Sequence, residues 1–182
     1  ITNGIDLSTK GGMVWLKSRS AATYNALFDT NRGTGRHLLS NSTSAEVVNA
    51  TSLTSYNATG FSLGSYTGTN QSPDNFVSWT FRKQPKFFDM VTYTGDATSN
   101  KSITHNLGSV PGCIIIKRTD STGRWIVYHQ SVGSNGYLVL NTTAASTSSS
   151  SMWNATAPTS TQFTVGDIGD SNVSGATYVA YL

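Results

Sequence analysis

The chain has 182 residues, of which 37% are hydrophobic, 10% aromatic and only 12% charged. That length supports one large or two small domains with real cores, and the aromatic and aliphatic content excludes intrinsic disorder. A net charge of +3, with its one basic concentration at Arg82-Lys83-Gln84-Pro85-Lys86, is too slight for a nucleic-acid interface, and the single cysteine excludes an intrachain disulfide.

Many short apolar stretches separated by Gly, Asn and Ser predict an all-β protein. No stretch of about 12 residues holds a 3.6-residue period. Nothing in the chain reads as a transmembrane span or a signal peptide, so no membrane insertion is expected.

Residues 1–11 lead into a first strand at about 12–18, whose run Met13-Val14-Trp15-Leu16 suits coverage on both faces. Strands follow at 25–30 and 36–41, joined by the tight Asn31-Arg32-Gly33-Thr34-Gly35 connection. Residues 42–50 read as a polar turn or one helical turn. Leu53 to Tyr56 and Phe61 to Gly64 form a hairpin around Asn57-Ala58-Thr59-Gly60, and 67–74 is a loop. Residues 75–81 alternate, with Phe76, Ser78 and Thr80 on one face and Val77, Trp79 and Phe81 on the other. The hydroxyls are expected to face water and Val77, Trp79 and Phe81 the core.

Pro85 marks the expected boundary between units at 1–84 and 85–182. Strands are then predicted at 87–94, 102–107, 112–117, 124–129, 137–141, 162–166 and 177–182. The Ala/Ser/Thr run 144–151 reads as a mobile loop.

The second half restates the first. Gly12-Met13-Val14-Trp15-Leu16-Lys17 lies over Gly112-Cys113-Ile114-Ile115-Ile116-Lys117. Leu27-Phe28-Asp29 lies over Val127-Tyr128-His129, and Asn41-Ser42-Thr43 over Asn141-Thr142-Thr143. After a two-residue shift Phe61-Ser62-Leu63-Gly64 lies over Phe163-Thr164-Val165-Gly166, and Phe76-Val77-Ser78-Trp79 over Tyr178-Val179-Ala180-Tyr181. The expectation is an internal duplication of one β-rich unit. The counterpart of the strand around 88–95 would fall before Ile1. Trimming, or a strand from a neighbouring chain, is the expected explanation, since a missing strand leaves an unpaired edge.

Catalytic signals are poor. His37, His105 and His129 are not repeated and lie at no metal-ligand spacing. The nine acidic residues form no recurrent pair of the kind a glycosidase needs. Asp167-Ile168-Gly169-Asp170 is too sparse for a calcium loop. Cys113 stands where the first copy has Met13 and reads as a small buried apolar residue. No cofactor and no catalysis are expected. The candidate ligand contacts are Tyr24, Arg32, Arg36 and His37 around the second and third strands, and Arg124, Trp125 and Tyr137 in the second copy. Aromatic faces beside Arg, Asn and Asp suit a sugar, which has apolar C–H faces and a hydroxyl rim. Phe28, Tyr128 and Trp125 also read as core residues.

These stretches, together with His105-Asn106-Leu107-Gly108, Trp125-Ile126-Val127-Tyr128-His129 and Trp153-Asn154-Ala155-Thr156-Ala157-Pro158, resemble the tandem β-sandwich modules of marine tailed-phage structural proteins. The resemblance covers nearly the whole chain. It implies a virion component, often of a tail fibre or other appendage, with a sandwich akin to concanavalin A-like and laminin-G-like domains.

The reading is therefore an all-β, antiparallel, jelly-roll-like β-sandwich in two homologous units, or both halves merged into one larger jelly-roll. The expected function is non-enzymatic attachment to host-surface glycans, in an extracellular particle, with other virion subunits as partners and a homo-oligomeric state. A decoration or scaffold role, binding only virion subunits, is the alternative, and a polysaccharide depolymerase a weaker one.

Overall fold

The structure, a computed structural model, describes residues 1–182. The chain is antiparallel throughout and almost entirely β, apart from one four-residue helix. Its contacts divide it into two compact units. The first comprises Ile1–Ser42 and Glu46–Lys83, the second Thr43–Ala45 and Gln84–Leu182.

The first unit contains β1 (Gly12–Ser18), β2 (Ala26–Asp29), β3 (Arg36–Leu39) and β4 (Val47–Val48). It continues with β5 (Leu53–Asn57), β6 (Gly60–Leu63), α1 (Thr67–Asn70) and β7 (Phe76–Arg82). Five strands form one sheet in the order β4-β3-β2-β1-β7, and β5-β6 forms the second layer. Strand alternation explains the sandwich. Val14 and Leu16 on β1 pair with Phe28 and Ala26 on β2. These four, with Leu7, Leu53 and Phe61, form the buried core. Residues 42–50 carry β4 rather than a helical turn, and the loop after β6 contains α1.

β7 corrects the expected facing. It pairs with β1 along its full length, Leu16 opposite Ser78 and Trp15 opposite Trp79. Ser78 therefore shares the core side with Leu16, while Trp79 stands on the opposite face and is 47% exposed. The hydroxyl of Thr80, expected in water, accepts a hydrogen bond from the Asn3 side chain at 2.9 Å.

The second unit contains β8 (Met90–Thr94), β9 (Lys101–Thr104), β10 (Cys113–Arg118), β11 (Ile126–His129) and β12 (Gly136–Val139). It ends with β13 (Thr147–Ser148), β14 (Gln162–Val165) and β15 (Thr177–Tyr181). The order is β13-β12-β11-β10-β15-β8, with β14-β9 as the second layer. Ile114 and Ile116, Ile126 and Tyr128, and Tyr178 and Ala180 project from the sheet onto Ile103, Phe163 and Val165 of that layer. Trp153 closes the core edge-on to Tyr128 and donates its indole N–H to Gly136 O at 3.0 Å. The low-complexity run 144–151 includes β13, paired to β12.

Candidate functional site

In the first unit the segment before β2 brings two of the expected contacts together. Thr23, Tyr24 and Ala26, His37 and Leu39 on β3, and Tyr66-Thr67-Gly68 line a cleft of about 280 Å³. Tyr24 is 60% exposed at its mouth. His37 is buried, with its ring 5.0 Å from that of Phe28 and 5.6 Å from that of Tyr66. Burial, reinforced by the nearby Arg32 charge, lowers its pKa to about 4, against the pull of Glu46. The imidazole is thus neutral at pH 7. Its Nδ1 and the hydroxyl of Thr23 are buried with no hydrogen-bond partner in the chain.

Arg32 lies elsewhere and is a structural residue, a correction to its expected role as a ligand contact. Its Nε donates to Asp29 Oδ2 at 2.6 Å, and its terminal nitrogens to Glu46 Oε1 and Leu27 O at 3.0 Å. Its side chain is buried, as is that of Asp29. The arginine fork fits two carboxylates and a carbonyl at once, and this fastens the β2–β3 connection. Arg36 is exposed and holds the other oxygen of Glu46 at 2.6 Å.

In the second unit Trp125 is fully buried and offers no face to a ligand. Its neighbour Arg124 pairs with Asp170, Nε to Oδ2 at 2.9 Å, while its backbone N–H donates to Oδ1 of the same carboxylate at 2.8 Å. The guanidinium also lies 5.5 Å from the centre of the buried Tyr137 ring. This cluster ties the loop at Asp170 to the sheet, and the Asp170 carboxylate is engaged by arginine.

The histidines outside the cleft make local contacts. Nδ1 of His105 accepts the Leu107 N–H and Nδ1 of His129 the Ser131 N–H, each at 3.2 Å. Burial raises the pKa of the Cys113 thiol, which disfavours the thiolate a nucleophile needs. No group of three or more His, Cys, Asp or Glu side chains is arranged to hold a metal ion.

A further aromatic feature lies on strands and was missed by the sequence reading. Trp15 and Trp79 face each other across β1 and β7, ring centroids 5.9 Å apart and tilted by 57°. With Lys17, Asn25 and Phe81 they line a recess of about 270 Å³. The indole N–H of Trp15 donates to Ser40 Oγ at 3.1 Å, which fixes that ring. Asn25 Oδ1 is buried without a hydrogen-bond partner. Beside the pair, Lys17, Ser18, Arg19 and Ser20 border a shallower depression with Val77 and Trp79. A signal was available. Where this unit has Trp15 and Trp79, the aligned positions are Ile115 and Tyr181, so the two halves differ here.

A family model described as a domain of unknown function (DUF7483) matches residues 3–182, spanning both units. Neither the curated proteins nor the solved structures contain a match.

Proposed function

We propose that this chain, which belongs to the family described as a domain of unknown function (DUF7483), is a non-enzymatic phage virion module that attaches an appendage to glycans on the host surface. The two units are taken as copies of one duplicated β-sandwich. The virion assignment rests on the motif resemblance along the sequence. The attachment role rests on the Trp15–Trp79 pair, in which Trp15 is half-buried and Trp79 exposed.

A pyranose presents an apolar C–H face and a rim of hydroxyls. The Trp79 ring supplies an exposed apolar surface, and Trp15 is held at a fixed tilt beside it. The side-chain Oδ1 of Asn25 is an acceptor with no partner in the chain, and Lys17, which lines the same recess, carries an ammonium donor. Aromatic rings contribute contact area at little conformational cost, which suits a weak site repeated in many copies on a particle.

The test is a glycan array with the purified chain and its Trp79→Ala variant. The expected result is binding to a subset of glycans, lost at least tenfold in the variant at unchanged thermal midpoint. No binding to any glycan, together with burial of this face between subunits in the particle, would overturn the reading. The scaffold alternative is favoured by one observation, the apolar and unpaired edge of β7.

A further inference from the structure

The two sheets differ at one end. In the second unit β15 lies between β10 and β8, and β8 pairs with it from Thr177↔Thr94 to Tyr181↔Met90. In the first unit the sheet stops at β7, and no strand pairs with its other side. The rest of the main sheet matches, β4-β3-β2-β1-β7 against β13-β12-β11-β10-β15. Leu16 opposite Ser78 and Trp15 opposite Trp79 repeat Ile116 opposite Ala180 and Ile115 opposite Tyr181. Ile1 and Phe61 exchange both backbone hydrogen bonds, at 2.8 and 3.1 Å, as Ile103 and Phe163 pair in β9–β14. The open position is therefore the one β8 fills.

β7 also lacks the devices that protect a natural edge strand. Such strands are short, bulged, proline-containing or charged. β7 has seven residues in unbroken register with β1, no proline, and no charge before Arg82. Phe76 lies on one face and Val77 and Trp79 on the other, all only partly buried or exposed.

We propose that the Phe76–Trp79 edge of β7 is a strand-acceptor site for an extended peptide segment with the side-chain chemistry of β8. The occupant runs antiparallel to β7. By the β8–β15 register it places an aromatic residue opposite Phe76, a β-branched residue opposite Ser78 and a long apolar residue opposite Trp79, as Tyr93, Val91 and Met90 lie opposite Tyr178, Ala180 and Tyr181. In the second unit these positions carry substantial contacts. Tyr93 stacks on Tyr178 at 5.0 Å and donates its hydroxyl to Ser171 O at 2.8 Å, and Met90 is fully buried. Main-chain hydrogen bonds would supply affinity and the alternate side chains specificity. The acceptor lies on the sheet's edge and the tryptophan pair on its face, so either site can fail without the other.

The experiment adds a synthetic peptide with the sequence of Phe88–Gly95 to the purified chain and follows amide hydrogen exchange. The expected result is at least tenfold slower exchange of β7 amides within 76–79, with no slowing for a peptide carrying Asp in place of Val91 and Tyr93. Unchanged exchange in β7 at millimolar peptide overturns the proposal. So does equal protection by the Asp-substituted peptide. Protection already present without peptide, in a chain that sediments as a dimer, also overturns it, because a second copy would then be the occupant.

Discussion

Three aromatic residues show how much a single side chain's surroundings decide. Trp79 is exposed on an edge strand, so Trp79→Ala is expected to shift stability by less than about 1 kcal/mol. Trp125 is fully buried, and Trp125→Ala is expected to cost about 3–5 kcal/mol through the cavity left behind. Urea denaturation of both variants checks the contrast, and equal losses would place Trp79 in the core. His37 predicts a pH dependence. Its folded pKa lies near 4, below the usual 6.5, so the unfolded chain takes up the proton first as pH falls. The stability tied to the neutral ring is complete above about pH 6.5 and declines towards pH 4. At about 1.4 kcal/mol per pKa unit the decline is on the order of 3 kcal/mol. His37→Phe keeps an aromatic ring between Phe28 and Tyr66 and should lose less stability than the wild type between pH 7 and 4.5. An identical acid decline in both proteins would clear His37 of the effect.

At the scale of elements, the β2–β3 connection depends on Arg32. Removing that side chain leaves the Asp29 and Glu46 carboxylates without the guanidinium that bridges them. Arg32→Ala is expected to cost about 3–5 kcal/mol, and Arg36→Ala, at an exposed pair, less than about 1 kcal/mol. Thermal melts of the two variants test this, and a mild Arg32→Ala would mean that solvent reaches Asp29. The repeated Phe-x-x-Gly stretch has a physical cause. A Cβ on Gly64 would collide with Thr51 O, and one on Gly166 with Ser151 O. Each glycine thus lets the chain after the second-layer strand pass a backbone carbonyl. Gly166→Ala should destabilise by at least about 2 kcal/mol, because the obstacle is backbone. A melting temperature unchanged by this substitution would show that the crossing can open without cost.

For the molecule as a whole, the low charge sets the expected character of binding. With 12% charged residues and a net charge of +3, little long-range field is available to attract a ligand. Glycan affinity is expected to change less than threefold between about 50 and 500 mM NaCl, where charge-driven contacts would be screened. A tenfold or greater fall on titration calorimetry would shift the role from the tryptophan pair to Lys17 and Arg19. Most strands were legible in the sequence, while β4 and β13 were read as a turn and a mobile loop. The apolar run of β1, the Asn- and Gly-rich turns, and the hairpin at Asn57 to Gly60 are local signals, each written within a few residues. The parallel order of motifs in the two halves was legible too, because residues can be aligned without knowing any contact. The sequence could not orient β7, since large side chains stand on both faces and alternation alone carries no sign. Only pairing with β1 put Ser78 beside Leu16 and sent Trp79 outward. The site followed the same rule. Tyr24 and His37 fall beside one cleft, Trp125 proved to be the core residue that was one of its two readings, and Arg32 was misplaced as a contact because burial is a property of packing. Trp15 and Trp79, 64 positions apart by their numbers, became one surface only when the register of two strands set them opposite each other.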